Sequence, residues 1–562
     1  MPRIALGTPG RLVTVSNSAG AEMLILLLRR VGDDPALAEW DRRQNYARFV
    51  GPDKLVLECV IATEPPRAMI ELHRRQKKTV ADEVERGLLR MGVPLAMLGT
   101  GAQLELAVRM NGAHVELLVD GIVHDEEWPT GSSQQGAIIA AVAGSAEFVA
   151  DLPGAPPPLT PLAQYWTPPG HNTWFGDVML TADGERLHLF WLTDRRMGTA
   201  KFGCGGCSFA HASTTDLKHW EHHPLAWPLN EYWEAANGTG CGVVKDGVHY
   251  LFANVLTERL GLEAQYPNGP YLATSHDGID FKKEGRAHGL PGEPGMLRDD
   301  RGVWHAISVS RHDDGVWRSS RYESHDLRQW RLADPDFLPQ PGWPVSRTVF
   351  SSECFNWFRM GEWFYILGGR TGFWRARQLL GPYRSVHAVD GPSWDLYDGL
   401  MVPQVAVWKN RAILGGWLPL HTHDWTLDWG GHLVLRELTQ LSDGNLELRR
   451  LPELEPPAEQ RLRLRLAPLE ARGSFGIHWA DGGSVMFDPN QRTASSGEYT
   501  IYNVAGLDAP FTLDIVIHPD AKSDSTIVDI NIGDRRTLIT RRPGANARLL
   551  PFTAENCRIE TL

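Results

Sequence analysis

Three short segments of this chain repeat one pattern, and that pattern limits the fold more than any other feature. "STTDLKHW" (213–220), "TSHDGIDF" (274–281) and "ESHDLRQW" (323–330) each place an aspartate four positions before a large aromatic: Asp216/Trp220, Asp277/Phe281 and Asp326/Trp330. The copies lie 61 and 49 residues apart. Repeats of that length, each holding several strands, are the mark of propeller blades. In such a blade the aspartate caps the turn of an outer hairpin and the aromatic packs between blades. The three aspartates are therefore expected to be structural rather than catalytic.

Short apolar alternations such as "KLVLECVIA", "RLHLFWL", "GVHYLFANV" and "WFYILGG" are separated by Gly, Asp and Asn turns, and helical periodicity is scarce. The fold class is all-β. The segment "DEVERGLLRMG" (82–92) reads as a helix or a long hairpin arm. Two proline-rich seams, "DLPGAPPPLTPLAQYWTPPG" (151–170) and "LPELEPPAEQ" (451–460), read as linkers. They divide the chain into an N-terminal β-rich, sandwich-like part (1–155), a middle part (160–445) long enough for five blades, and a C-terminal part (455–562).

The net charge of −12 comes without a basic stripe, which argues against nucleic acid as a partner and suits a neutral ligand. Six scattered cysteines make no disulfide framework. The opening "MPRIALGTPGRLVTVSNSAG" lacks a long apolar stretch, and the run Met23–Leu28 is too short to span a bilayer, so a cytoplasmic protein without a membrane partner is expected. Asn237-Gly-Thr239 matches a glycosylation sequon and carries little weight without a secretion signal. The chain has 21 Trp, crowded between 166 and 430. Trp serves both to fill space between sheets and to recognise the flat faces of sugar rings.

Three acids share one register. Asp177 lies ten residues before Leu187, Glu293 ten before Val303, and Glu353 ten before Trp363, each as acid, short strand, turn, apolar strand. Inner propeller strands converge on a central channel, so three blades would aim one carboxylate each at the axis. Glycosidic chemistry uses such a set: an ionised carboxylate at the anomeric carbon, a protonated one at the leaving oxygen, and a third to hold hydroxyls and tune the others. A hard-cation site is the other use of clustered carboxylates.

On these residues the middle and C-terminal parts resemble glycoside hydrolase family 32, the β-fructofuranosidase and levanase/inulinase group. The resemblance implies a five-bladed propeller followed by a β-sandwich. "GDVM" stands where the family carries its Asp-Pro-Asn-Gly nucleophile motif and would supply Asp177, while "ECFN" keeps the Glu-Cys pair and would supply the acid/base, Glu353. "FAHASTTDLKHW" (209–220) and "IVDINIGDRRTLITRR" (527–542) are similar to a segment after the first blade and to a sandwich strand with a Val-Asp motif. The chain departs from the family around Asp177, where Asn, Pro and the second Asn are missing. It departs again at the Arg-Asp-Pro position, which reads Gly292-Glu293-Pro294. The literal Arg298-Asp299 falls on a hairpin turn in the ten-residue register, so Glu293 is taken as the third acid.

Around these acids, Arg195, Arg196, Lys201 and His211 in a Gly-rich loop region are candidate donors to substrate. Trp174 and Trp357 are candidate stacking platforms, Asn172 and Asn356 candidate hydroxyl partners, and Asp398 a reserve binding residue. Cys204-Gly-Gly-Cys207 has no second pair and is read as loop structure; no metal ligand set and no cofactor are assigned. The expected function is a retaining glycosidase acting on a fructofuranoside or related furanoside. The alternatives are a non-catalytic carbohydrate-binding propeller, a fructosyl transferase and an inverting, arabinanase-like enzyme. The partner is an oligosaccharide or small glycoside. The N-terminal part, with its hairpin "LELAVRMNGAHVELLVDGIVHDEEWPTG", loosely resembles lectin modules and is open to three roles: sugar binding, packing on the propeller, or homo-oligomerisation.

Overall fold

The computed structural model describes residues 162–169, 173–195, 208–228, 232–234, 237–257, 263–311, 315, 317–338, 353–369, 373–385, 396–421, 427–520, 522–545 and 550–562, together with the backbone of ten strands before residue 149. Those ten strands form two five-stranded antiparallel sheets. The expected hairpin is Glu105–Asn111 against His114–Val119, and the segment read as helix or hairpin arm contributes the strand Leu88–Pro94.

The middle part is a five-bladed propeller, each blade four antiparallel strands taken consecutively from the chain. The inner strands are Thr173–Ala182, Asn237–Lys245, Gly295–Arg298, Asn356–Met360 and Met401–Trp408. The fifth blade meets the first at a backbone bridge between Gly431 and Phe175. Buried aromatics fill the spaces around the blades. Trp166, Trp191, Trp220, Trp408 and Trp417 belong to one cluster, so much of the Trp content serves packing.

The repeated aspartates do what the pattern predicts. Oδ1 of Asp216 accepts from the backbone N–H of Lys218 and His219, Oδ1 of Asp277 from Ile279 and Asp280, and Oδ1 of Asp326 from Arg328 and Gln329, all at 2.8–2.9 Å. Each turn joins the third and fourth strands of its blade. Trp220 and Trp330 then donate Nε1–H to the carbonyls of Leu217 and Leu327. Asp326→Ala removes two charge-assisted hydrogen bonds at an exposed turn and is expected to cost about 1 kcal/mol of stability, read as a lowered denaturant midpoint.

The C-terminal part is a sandwich to whose two sheets it contributes five strands each, one of them extended to six by a strand from outside it. Its first strand, Arg461–Pro468, buries Leu464 and Leu466 and exposes Arg463 and Arg465, the period of two of a one-sided strand. Phe475, Phe487, Ile515 and Ile530 lie in its core. Two features tie it to the propeller. The short strand Tyr397–Asp398, just ahead of the fifth blade, pairs in parallel with Arg536–Pro543 of the sandwich. The buried Asp529 accepts from Arg436 of the fifth blade, from Arg450 at 3.0 Å and from the Tyr165 hydroxyl at 2.5 Å. Tyr165 belongs to the first proline-rich seam. Residues 162–166 there are docked rather than free: Tyr165 N–H donates to the Leu433 carbonyl and Leu433 N–H to the Trp166 carbonyl, both at 2.8 Å. The second seam holds two single 3₁₀ turns, Pro452–Leu454 and Ala458–Gln460. Among the described residues no helix is long and apolar enough to cross a membrane.

Candidate active site

An aspartate in a strand needs a local reason. The pairing of Thr173–Ala182 with its neighbour slips between Gly176 and Met179, which makes Asp177 and Val178 a bulge. Asp177 sits at φ 42°, a left-handed conformation that Asp adopts more readily than most residues. Bulges re-aim side chains, and this one turns a carboxylate out of the strand alternation. The second blade slips at the same level, between Gly238 and Cys241 around Thr239. In the fourth blade Cys354, directly after Glu353, sits at φ 52° just ahead of the inner strand. Glu293 lies two residues before the inner strand of the third blade.

These irregular strand starts converge. Thr239 donates its hydroxyl to Asp177 Oδ2 at 3.0 Å and its backbone N–H to Glu293 Oε1 at 3.1 Å. Asn254 Nδ2 lies 3.4 Å from the same Glu293 oxygen. The Cys354 thiol stands 2.8 Å from Glu293 Oε2 and 3.3 Å from Thr239 Oγ1. Burial, and after it the negative charges of Glu293, Glu353 and Asp177, pushes the Cys354 thiol far above its ordinary range. Thr239 of the second blade thus joins Asp177 of the first to Glu293 of the third, and Glu293 meets the thiol of Cys354, the residue after Glu353 in the fourth. The acids differ in exposure. Asp177 is buried, Glu293 half-buried and Glu353 exposed. Asp177 is a buried carboxylate oriented by a hydroxyl donor, and Glu353 a carboxyl in reach of water.

The other candidate residues lie elsewhere. Trp174 is fully buried, with Lys522 Nζ 4.2 Å over its ring, and offers no face to a sugar. Trp357 is buried and donates Nε1–H to the Tyr383 hydroxyl at 2.8 Å. His211 is buried in a histidine cluster between blades, stacked on Phe190. Strand position does not single these residues out, because propeller sheets are packed on both faces: all of Ser208–Thr214 is buried, and so are the adjacent pairs Trp174/Phe175 and Trp357/Phe358. Asn356 accepts from the Val405 N–H and donates to Gln404 Oε1, both at 3.0 Å, and so joins the fourth blade to the fifth. Asp398 is buried in the seam with the sandwich, where it accepts from the backbone N–H of Gly399 and Thr500, both at 2.9 Å. Asn172, Arg196, Lys201 and the Cys204/Cys207 loop lie outside the described residues, as does the Arg195 side chain. Asp299, the literal alternative to Glu293, caps the turn 299–303 by accepting from the N–H of Arg301 and Val303.

The sequence points to Cys354 only as the partner of Glu353 in the Glu-Cys pair, and it does not point to Thr239 or Asn254. A signal existed: the ten-residue register that selects the three acids falls on Gly238 in the second blade, next to Thr239. The same segment was read as a weak sequon, yet Asn237 is wholly buried and inaccessible to glycosylation.

The chain matches no protein-family profile. Raffinose invertase of Escherichia coli is 35% identical over 104 residues, 18% of this chain and 22% of that enzyme, so the match spans about a fifth of that relative's length. A family 32 β-fructofuranosidase of Bombyx mori, solved with sucrose, is similar in structure at 17% identity and a TM-score of 0.50, over 70% of this chain and 92% of that one. Fructan 1-exohydrolase IIa of Cichorium intybus is similar at 12% identity and a TM-score of 0.51, over 71% and 95%. The fold is thus that of the family 32 propeller-plus-sandwich enzymes, in a chain of divergent sequence.

Proposed function

We propose that this protein is a glycoside hydrolase of the family 32 type, acting on a β-fructofuranoside or a closely related furanoside with retention of configuration. The convergence of Asp177, Glu293 and Glu353 around the Cys354 thiol carries the reading. In it Asp177 attacks the anomeric carbon. Glu353 protonates the leaving oxygen as the glycosidic bond breaks, and its carboxylate then takes a proton from the incoming water as that water displaces Asp177. Glu293 holds substrate hydroxyls and the Cys354 thiol, so its charge is spread over donors before substrate arrives. The mechanism needs no cofactor. A sugar hydroxyl in place of water would make the same intermediate a donor for transfer.

Sucrose and 1-kestose, the sugars bound in two of the structural relatives, are the first substrates to try. Incubation with these, raffinose and arabinofuranosides, followed by NMR of the first-formed product, is expected to show release of the furanose, fructose from the fructosides, in the substrate's own anomeric configuration. Binding with no turnover of any of them would support a non-catalytic propeller instead.

Gly238 gives a finer test. A Cβ there would stand 2.5 Å from Glu293 Oε1 and 3.2 Å from Asn254 Nδ2. The carboxylate arm can swing away, so Gly238→Ala should fold, but with Glu293 displaced from Thr239. Misplacement of that order is expected to lower kcat/KM about 100-fold, with the unfolding midpoint little changed.

A further inference from the structure

On the edge between the first and second blades lies a cluster of side chains that the proposed reaction does not use. Asp183 stands in the turn after the inner strand of the first blade, His188 on the second strand of that blade, and His249 on the second strand of the next. One ligand-competent atom from each lies within 4.8 Å of the other two. His188 Nε2 is 3.1 Å from Asp183 Oδ2, and His249 Nε2 is 3.6 Å from the same oxygen. We propose that Asp183 Oδ2, His188 Nε2 and His249 Nε2 form a binding site for a zinc-class divalent transition-metal ion that fastens the first blade to the second.

Four observations carry this assignment. The spacings lie close to the edge of a tetrahedron built on bonds of about 2.0–2.2 Å, which is ~3.3–3.6 Å. The second spacing is too long for a hydrogen bond, and His249 Nδ1 is buried without a hydrogen-bond partner, so neither ring nitrogen of this buried side chain is otherwise well used. The carboxylate is pre-set: Asp183 Oδ1 accepts from the N–H of Glu185 and Arg186 at 3.1 and 2.7 Å, which leaves Oδ2 facing the imidazoles. Last, a metal on His188 Nε2 requires the proton on Nδ1, and that nitrogen lies 3.1 Å from His211 Nε2, the kind of outer partner that fixes a ligating ring.

The surroundings fit a bound cation. Charged groups facing the cluster are Asp183 itself, Asp277 of the second blade and Arg186, whose charge is met by Glu221. Gly278, at φ 71°, closes the site from the second blade, and a Cβ there would come 2.9 Å from both His188 Cε1 and His249 Nε2. Asp183 is 23% exposed, which leaves a path for the ion and for a water as fourth ligand. Two imidazoles and one carboxylate select zinc or cobalt over calcium or magnesium.

Cobalt reports the geometry directly. The full-length protein, stripped with a chelator and titrated with Co²⁺, is expected to develop the intense visible absorption of tetrahedral cobalt, saturating at one equivalent. Both His249→Ala and Asp183→Asn should abolish it. Zinc at saturation should raise the unfolding midpoint of the wild type by about 5 °C and leave both variants unmoved. Asp183 is partly exposed, so its variant keeps the test informative if His249→Ala fails to fold. Absence of the band in the wild type, or a band that persists in the variants, overturns the assignment.

Discussion

Asp177→Asn is expected to lower kcat on a β-fructofuranoside by about 10⁴-fold, with KM little changed and the fold intact. The amide is nearly the same shape as the carboxylate and its oxygen can still accept from Thr239, whose hydroxyl lies 3.0 Å from Oδ2. What it loses is the charge that attacks the anomeric carbon. Glu353→Gln should behave differently. In kcat/KM, which reports the glycosylation step alone, its loss is expected to reach about 10³-fold on sucrose, where the leaving oxygen needs a proton, and to be far smaller on an aryl furanoside, whose leaving group departs without one. Equal losses on both substrates would deny Glu353 the role of general acid. The two roles are proposed in this order from the resemblance of "GDVM" and "ECFN" to the family 32 motifs.

The second large effect is on stability. Asp529→Ala is expected to destabilise the protein by about 3–5 kcal/mol, the cost of leaving a buried charge unmatched. Arg436 is 1% exposed and Arg450 11%, and both direct guanidinium groups at this carboxylate. Arg450 also donates to the Asp529 backbone carbonyl, at 2.9 Å, and that contact survives the substitution. Arg436 keeps the Leu435 carbonyl but loses its ionic partner. Burial works against the Asp529 charge, yet Arg436 and Arg450 outweigh it and hold the carboxyl below its ordinary value. A carboxyl lowered on folding contributes stability that is complete above the unfolded-state value, near 4, and fades as the pH falls toward the folded one. Acid unfolding of the wild type should therefore show a loss below pH 4 that Asp529→Ala lacks, measured by urea midpoints across the acid range.

Much of this architecture was legible because it is periodic. The repeat of Asp216, Asp277 and Asp326 predicts outer-hairpin caps, and each of these aspartates caps one. The ten-residue register singles out Asp177, Glu293 and Glu353 because chain geometry puts equivalent positions of different blades at the same level. Individual side chains around the site were harder. Trp174 and Trp357 read as sugar platforms on sequence proximity to an acid, but both faces of a blade are packed by its neighbours, so an aromatic near the site is as readily taken into the inter-blade core. His211, on a strand buried at every position, is taken into it as well. Thr239 was hidden because its role depends on a bulge in another blade, and a bulge leaves little mark in sequence. Asp529 was visible only through a motif resemblance; nothing local says that its partners are Arg436 and Arg450, far away in the chain.

The central claim is that Asp177 forms a covalent bond to the sugar while Glu353 serves as acid and then base. The most direct measurement uses the Glu353→Gln protein with an aryl β-fructofuranoside, which should form the glycosyl–enzyme quickly and hydrolyse it slowly. Quenching in acid, digestion and mass spectrometry should find one hexosyl adduct, on the peptide that contains Asp177. An adduct on a different residue, or rapid turnover with inverted product and no adduct, would contradict it.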